Sequence, residues 1–166
     1  YENMELCMTL NGSWGYNQFD TGWKEPEFIL WCLLRANKLG GNLLLNVGPR
    51  ADGTIPEQCQ IILEKVGQWV NENSLPYGPT TWRKKNGSQH LFYHIFYWDG
   101  SGELWLPGIM NATNEVELSF PSSPQLSFKI EAIDGVGLHL TGLPQKQFSD
   151  KMCTMLDIKF KSEPRL

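Results

Sequence analysis

The sequence predicts an α/β segment followed by an all-β segment. Residues 1–77 alternate between short apolar runs and helical repeats in the order strand, helix, strand, helix. Residues 80–166 carry short alternating runs between turn residues, which is typical of an antiparallel β-sandwich. Two βα units are too few to close a sheet, since a β/α-barrel needs eight. We therefore predict the last βα units of a (β/α)8-type barrel over residues 1–78 and a β-sandwich over residues 79–166.

The first predicted strand ends in a loop that is rich in polar and aromatic residues. Leu6, Met8 and Leu10 alternate with Cys7 and Thr9, as in a strand. Asn-Gly-Ser then breaks the strand, and four side chains of possible functional interest follow: Trp14, Tyr16, Asn17 and Asp20. Loops at the C-terminal ends of strands carry the sites of α/β folds. The pattern fits a sugar site, but it fits equally a structural turn in which Trp14 fills a barrel rim.

A helix, a second strand and a second helix follow. Pro26 and two acidic residues mark a helix start within Lys24–Glu27, and Gly40-Gly41 marks its end. The apolar run Asn42–Val47 fits a strand buried on both faces of a parallel sheet. Turn residues over 48–56 predict a second loop. The last helix has one predicted apolar stripe: Ile61, Ile62, Leu63, Val66, Trp69 and Val70.

The second half predicts six strands and no metal site. The strands are expected at Leu91–Trp98, Glu103–Leu106, Glu115–Phe120, Gln125–Ile133, Gly137–Leu140 and Met152–Lys161. The basic cluster Arg83–Lys85 is expected to be a solvated turn. The histidines show no metal-ligand spacing and are expected on the surface or on strands: His90, His94 and His139.

Composition excludes several functional classes. A net charge of −4 over 166 residues argues against a nucleic-acid partner. No apolar run approaches the ~20 residues of a membrane helix, so no membrane partner is expected. The four cysteines form no CxxC pair, so neither a metal nor another cofactor is expected, and Cys7 and Cys32 are interpreted as apolar core residues. The chain opens at Tyr1 without an initiator Met, which indicates a processed product or a fragment.

Three sequons permit passage through a secretory route without establishing it. They lie at Asn11, Asn86 and Asn111. The expected location is accordingly extracellular, periplasmic or lysosomal.

Three segments together resemble the C-terminal part of family 29 glycoside hydrolases, the α-L-fucosidases. They are ELCMTLNGSWGYN at Glu5–Asn17, GGNLLLNVGPRADGTIP at Gly40–Pro56 and VGQWVNEN at Val66–Asn73. The resemblance implies a β/α-barrel followed by a β-sandwich, and removal of terminal α-linked L-fucose with retention through a covalent glycosyl–enzyme intermediate. Such chemistry requires two carboxyl groups about 5 Å apart. In this family both lie upstream of the matching segments, so we expect them before Tyr1 and expect the chain alone to be inactive.

The resemblance also assigns two substrate-binding candidates. Trp14 matches the aromatic residue that lines the pocket around the apolar side of the sugar, where an indole removes C–H surface from water. Glu5 matches a family glutamate and is interpreted as an orienting or ion-pairing residue rather than the acid/base. Asn46 and Asp52 are expected to fix the second loop by hydrogen bonds from side chain to backbone. The sequence departs from the family at Met4, where many members have Trp, and over Ser74–Tyr77.

Three hypotheses remain open. The leading one is part of an α-L-fucosidase that binds fucosylated oligosaccharides or glycoconjugates. The second is a non-catalytic carbohydrate-binding or structural β-sandwich. In that case Trp82, Trp98 and Trp105 could bind sugar, whereas otherwise they are expected to pack in the core and at an interface. The third is one chain of a nicked enzyme, complemented by the missing N-terminal barrel portion or assembled as a homo-oligomer.

Overall fold

The computed structural model describes residues 4–73, 80–147 and 152–166. The chain divides into two compact units, Tyr1–Pro79 and Thr80–Leu166. The predicted boundary between residues 78 and 79, and the departure over Ser74–Tyr77, lie outside the described residues. No helix among the described residues is long and apolar enough to cross a membrane.

The first unit has the predicted order of strand, helix, strand and helix. The elements are β1 (Glu5–Thr9), α1 (Pro26–Lys38), β2 (Asn42–Asn46) and α2 (Glu57–Asn73). β1 and β2 are parallel, with a register from Glu5↔Asn42 to Thr9↔Asn46. Two parallel strands need a crossover connection, and α1 provides it. The first unit is therefore a βαβα segment, as the periodicity predicts.

The Gly-Gly pair after α1 allows the chain to return closely beside β1. Gly40 has a φ of 72°, in the left-handed region where a side chain is disfavoured. A Cβ on Gly41 would lie 2.5 Å from the backbone oxygen of Met4. The amide of Asn42 donates to that same oxygen at 2.9 Å and starts the parallel ladder. Gly40 thus ends the helix, while Gly41 admits the neighbouring strand.

The core of the first unit lies along one face of each helix. Its buried residues on α1 include Ile29, Leu30, Leu34 and Ala36, and those on α2 are Cys59, Ile62, Val66 and Trp69. The predicted apolar stripe of α2 was therefore too wide, because Ile61 and Leu63 are exposed. The buried residues of α2 are three and four positions apart, which is the spacing of a single helix face, whereas those of α1 follow more closely and cover a wider face.

The two strands of the first unit are more exposed than the sequence predicts. Cys7 is exposed, although we expected a core residue there. Leu44 is 50% exposed and Leu6 is 39% exposed, so the expectation that β2 is buried on both faces is also wrong for this chain. The physical reason is that the described sheet of this unit has two strands, and α1 and α2 cover only part of it.

The second unit consists of two antiparallel sheets around an apolar core. Its strands are β3 (Thr80–Lys85), β4 (Ser88–Ile95), β5 (Glu103–Pro107), β6 (Val116–Ser119), β7 (Lys129–Ile133), β8 (Gly137–Thr141) and β9 (Thr154–Phe160). One sheet has the order β3-β4-β9-β6, and the other has the order β5-β8-β7. Alternate residues of both sheets enter one core, including Leu91, Leu106, Leu138, Leu140, Leu156 and Ile158. This is the two-layer arrangement of a β-sandwich.

Two sequence expectations in this unit need correction. Arg83–Lys85 lies on β3 and not in a turn. The strand predicted over Gln125–Ile133 begins only at Lys129. His90 and His94 lie on β4, which agrees with the expectation of surface or strand residues, and both are buried, at 8% and 6% exposure. Burial of His90 is compensated by Asp157 on β9, whose Oδ1 lies 2.8 Å from the histidine Nδ1.

Candidate functional site

Two loops leave the same edge of the parallel sheet. We call residues 10–25, after β1, the first loop and residues 47–56, after β2, the second loop. Thr9 pairs with Asn46 at the end of the ladder, so both loops start side by side. The amide of Leu10 donates to the oxygen of Asn46 at 3.3 Å and extends the contact into the first loop. The carboxyl edge of a parallel sheet is where α/β folds bind ligands.

Asp20 holds the shape of the first loop. Ser13 Oγ donates to Asp20 Oδ2 at 2.6 Å, and the amide of Gly22 donates to Asp20 Oδ1 at 3.2 Å. The Ser13 hydrogen bond is the main cause that lowers the pKa of Asp20 below its ordinary value. A Cβ on Gly12 would lie 3.1 Å from the same carboxylate, which explains the small residue there. Asp20 is therefore an ionised structural residue of the loop.

Lys24 ties the end of the first loop back to its beginning. Its ammonium Nζ donates to the backbone oxygen of Asn11 at 2.6 Å and to Thr9 Oγ1 at 3.3 Å. Its backbone amide donates to the oxygen of Leu10 at 2.8 Å. The Thr9 hydroxyl also donates to the oxygen of Asn11. Local sequence patterns do not reveal this role of Lys24, because its side-chain partners are 13 and 15 positions away.

The end of β2 and the second loop support the first loop at three points. Asn46 Nδ2 donates to the backbone oxygen of Trp14 at 2.6 Å. The guanidinium of Arg50 lies 5.4 Å from the ring centroid of Tyr16, within cation–π range. A Cβ on Gly48 would lie 3.2 Å from the backbone of Gly15, so only a glycine permits this approach. The backbone around Trp14 is thus fixed by a neighbouring strand and loop.

The second loop has its own internal hydrogen bonds. Asp52 Oδ1 accepts hydrogen bonds from the Thr54 hydroxyl at 2.7 Å and from its amide at 2.9 Å. Both hydrogen bonds lower the pKa of Asp52, and the bond from the Thr54 hydroxyl has the larger effect. The expected role of Asp52 is confirmed. Asn46 also makes the expected bond from side chain to backbone, but its partner belongs to the first loop.

The structure places the two predicted substrate-binding residues at different ends of β1. The Trp14 side chain is 59% exposed on the first loop, which also carries the exposed rings of Tyr16 and Phe19. Glu5 is the exposed first residue of β1 and pairs with Asn42, at the edge opposite the loops. Four strand residues at about 3.3 Å each separate Glu5 from Thr9 by about 13 Å. The structure therefore does not bring Glu5 and Trp14 together.

Comparison with known proteins covers this same region. Residues 1–75 match the family model of α-L-fucosidase, and the plasma α-L-fucosidase of Homo sapiens is 34% identical over 134 residues, which are 69% of this chain and 28% of the relative. The chain belongs to the α-L-fucosidase family. The fucosidase resemblance of the motifs is thereby confirmed, and the chain spans less than a third of the human relative's length.

Solved fucosidase structures are similar to this chain over nearly its whole length. Isoenzyme 1 from Paenibacillus thiaminolyticus is 25% identical with a TM-score of 0.66, and the match covers 95% of this chain and 40% of that one. A Thermotoga maritima α-fucosidase in complex with fucose is 20% identical with a TM-score of 0.66, covering 93% of this chain and 39% of that one. Both units therefore have the fold of the corresponding part of a fucosidase.

Asp20 and Asp52 are poorly suited to act as general acids. A general acid needs a raised pKa, whereas hydrogen bonds lower the pKa values of Asp20 and Asp52. Across residues 4–73, 80–147 and 152–166, no group of three or more His, Cys, Asp or Glu is arranged to hold a metal ion. The first loop of this segment carries exposed aromatic rings, and side-chain hydrogen bonds fix the backbones of both loops.

The tryptophans of the second unit differ in their surroundings. Trp98 packs edge-on against Phe120 in the core, and its indole N–H donates to the oxygen of Pro144 at 2.7 Å. Trp82 is 44% exposed, with its ring 5.4 Å from that of Phe160. Trp105 is 49% exposed and stacks on His139, with ring centroids 3.8 Å apart. Trp105 borders a cleft of about 290 Å3 that is also lined by Tyr97, Asp99, Ser101 and Glu103.

Proposed function

We propose that the whole protein containing this segment is a retaining α-L-fucosidase that hydrolyses terminal α-L-fucose from glycans or glycoconjugates. The observation that carries the proposal is the pair of linked loops at the carboxyl edge of β1 and β2. These loops hold the backbone of Trp14 rigidly and leave its ring exposed, within the segment that matches the family.

The first unit is proposed to be the last βα units of the (β/α)8-type barrel, with the β-sandwich after it. Exposed Leu6, Cys7 and Leu44 support this, because apolar strand faces are normally covered in an α/β sheet. Further barrel elements of the same enzyme would cover them. Two exposed strands with apolar side chains are otherwise a site of aggregation.

Trp14 is proposed to contact the apolar side of fucose, which carries the C6 methyl group. An indole face removes C–H surface from water at about 25 cal/mol per Å2, without requiring a hydrogen bond. Because the ring projects from a fixed backbone, little order is lost on binding. Glu5 is proposed to act indirectly, as a positioning or ion-pairing residue, because it begins β1 at the edge away from the loops.

The catalytic nucleophile and the acid/base are proposed to lie upstream of Tyr1. Support comes from Asp20 and Asp52, whose carboxylates accept hydrogen bonds within their own loops and so serve to build those loops. The reaction needs one carboxylic acid and one carboxylate about 5 Å apart. This chain then contributes binding surface, and no activity is expected from residues 1–166 alone.

The direct test is hydrolysis of an aryl α-L-fucoside by the full-length protein, followed by NMR of the first-formed sugar anomer. We expect α-L-fucose as the first product, since retention uses two displacements. A β-anomer would contradict the retaining mechanism, and no hydrolysis of any α-L-fucoside would contradict the function. The partner is a fucosylated oligosaccharide or glycoconjugate, and the location is on the secretory route, as for a plasma relative.

One observation favours a second candidate, a carbohydrate-binding role of the β-sandwich. The cleft beside Trp105 combines an exposed indole and the 81% exposed ring of Tyr97 with the carboxylates of Asp99 and Glu103. Aromatic faces beside hydrogen-bond acceptors suit a neutral sugar. Calorimetric titration of fucosylated oligosaccharide into the full-length protein and its Trp105→Ala variant tests this. Equal heats would exclude the cleft as a binding site.

A further inference from the structure

In two of the three sequons the asparagine is buried. Asn111 is 0% exposed. Its Nδ2, the atom that would carry a glycan, donates to Ser162 Oγ at 3.2 Å and to the oxygen of Glu163 at 3.0 Å. Its Oδ1 accepts from the amide of Arg165 at 2.8 Å. A glycan on Asn111 would break these bonds and force a hydrated oligosaccharide into the packed end of the second unit.

Asn11 is the second buried asparagine. It is 8% exposed at the root of the first loop. Its Oδ1 accepts the amide of Ser13 at 3.2 Å, and its backbone oxygen accepts Lys24 Nζ at 2.6 Å. Ser13, the hydroxyl residue of the same sequon, is itself bound to Asp20 at 2.6 Å. Both ends of this sequon are therefore used to build the loop.

The third sequon occupies an open hairpin tip. Asn86 and Gly87 connect β3 to β4, with φ values of 50° and 82°. Two consecutive left-handed residues are characteristic of a type I′ turn, in which Asn-Gly is the preferred pair. Lys85↔Ser88 is the last pair of the hairpin, so the turn that carries Asn86 lies beyond the ladder. Asn86 is exposed, and a Cβ built on Gly87 meets nothing within 4 Å.

We infer that Asn86 is the N-glycosylation site of this chain. In the reaction Nδ2 of Asn86 bonds to the anomeric carbon of an oligosaccharide donated by a lipid diphosphate. The bond between that carbon and the diphosphate oxygen breaks, the lipid diphosphate leaves, and one amide proton is released. Ser88 supplies the hydroxyl that the sequon requires two positions after the asparagine.

The fold selects among the sequons by what each glycan would displace. At Asn86 a glycan extends from the turn into solvent. The left-handed backbone conformation of this turn is one that asparagine tolerates. At Asn111 a glycan replaces one of the two Nδ2 hydrogens, so at least one hydrogen bond of a fully buried amide is lost. Chains glycosylated at Asn111 are therefore expected to fail in folding, whereas chains glycosylated at Asn86 fold normally.

The inference rests on the secretory route of the proposed function. The test is expression of the full-length protein through a eukaryotic secretory pathway, with glycopeptide mass spectrometry of the folded, secreted product. We expect an oligosaccharide on the peptide that contains Asn86 and none on those with Asn11 or Asn111. Ser88→Ala should remove the glycan while keeping the Asn-Gly turn, and Ser88→Thr should retain it. Thr113→Ala destroys the Asn111 sequon and should leave the glycan mass unchanged.

Two results would overturn the inference: an unmodified Asn86 in the folded secreted protein, or a glycan on Asn111 in that same protein. Hydrolysis of an aryl α-L-fucoside is measured on the same preparations, so the two proposals fail separately. An active enzyme with unmodified Asn86 overturns only the glycosylation site. A glycosylated, inactive protein supports the site and contradicts the fucosidase.

Discussion

Trp14 illustrates, at the residue scale, how an exposed side chain is positioned through its backbone. Its ring is 59% exposed, while its carbonyl accepts a 2.6 Å hydrogen bond from Asn46 on the neighbouring strand. The following Gly15 lies against Gly48, and Tyr16 lies under Arg50. The aromatic surface is thus preorganised without being buried, which suits a residue proposed to contact sugar.

Ser13 and Asp20 are expected to act as one unit in fixing that loop. Changing Ser13→Ala or Asp20→Ala removes the same 2.6 Å hydrogen bond, so either change should raise KM for an aryl α-L-fucoside and leave kcat nearly unchanged. Because the partners are shared, the double variant should be no worse than the more impaired single variant. Steady-state kinetics of the four full-length proteins measures this. Additive losses would show that the two residues act independently.

The same pair predicts acid sensitivity of the loop. Hydrogen bonds lower the pKa of Asp20 below 3.8, so the folded loop favours the ionised form. That contribution is fully present above pH 3.8 and is lost as the pH falls through the lowered value. Asp20→Asn should make the loop's stability independent of pH in this acidic window. Amide exchange at Gly22 in wild type and variant, compared on either side of that window, tests the sign.

At the scale of elements, the carboxyl ends of β1 and β2 and their loops form the candidate site. The periodicity of the sequence predicts both strands, both helices and both loops, since each follows from local patterns of apolar, Gly and Pro residues. Contacts between the loops were not predictable in this way. Asn46 and Trp14 are 32 positions apart, and Lys24 and Asn11 are 13 apart. Only the parallel register brings these partners together.

Two features of the β-sandwich that were not predicted have similar physical reasons. β3 was missed because its Arg and Lys residues resemble a solvated turn, yet charged side chains are common on an exposed edge strand. His90 was expected at the surface or on a strand, and it lies on β4, but its burial beside Asp157, a partner 67 positions away, was not predicted. Both features depend on neighbours in the sheet, which short-range patterns do not record.

Gly48 and Gly53 form a matched pair for testing the contact between the loops. Both have positive φ, 57° and 83°, so alanine at either position carries a backbone strain of about 1–2 kcal/mol. A Cβ on Gly48 also meets Gly15 and Tyr16, whereas one on Gly53 meets nothing within 4 Å. Gly48→Ala should therefore raise KM and lower stability more than Gly53→Ala. Equal effects in denaturation and kinetics would contradict a role of the close contact.

At the scale of the whole molecule, this chain is proposed to be the end of a barrel and a β-sandwich that complete a larger enzyme. The first unit leaves apolar strand residues uncovered. The order of its strands and helices, the parallel register of β1 and β2, and the position of both loops at one edge of the sheet are those expected of a barrel segment. The sequence predicts this incompleteness from the small number of βα units. The sequence motifs indicate the family. Neither the motifs nor the number of βα units predicts that Cys7 is exposed.

Cys7 offers a direct measure of whether further barrel elements cover β1. It is exposed here, whereas Cys32, Cys59 and Cys153 are buried. In the native full-length protein we expect a thiol reagent to leave Cys7 unmodified, and in denaturant we expect it to react. Intact-mass analysis of wild type and Cys7→Ser identifies the label. Rapid modification of native Cys7 would show that β1 remains uncovered and would contradict the proposed barrel.

The central claim is that this segment supplies a sugar-contacting wall to a fucosidase whose carboxyl pair lies upstream. The most direct measurement is the kinetics of aryl α-L-fucoside hydrolysis by full-length wild type, Trp14→Phe and Trp14→Ala. Loss of about 1.5–3 kcal/mol of aromatic burial predicts a rise in KM of roughly 10- to 100-fold for Trp14→Ala, with a small change in kcat. Trp14→Phe should lie between the two. Kinetics of Trp14→Ala that equal those of wild type would contradict the claim.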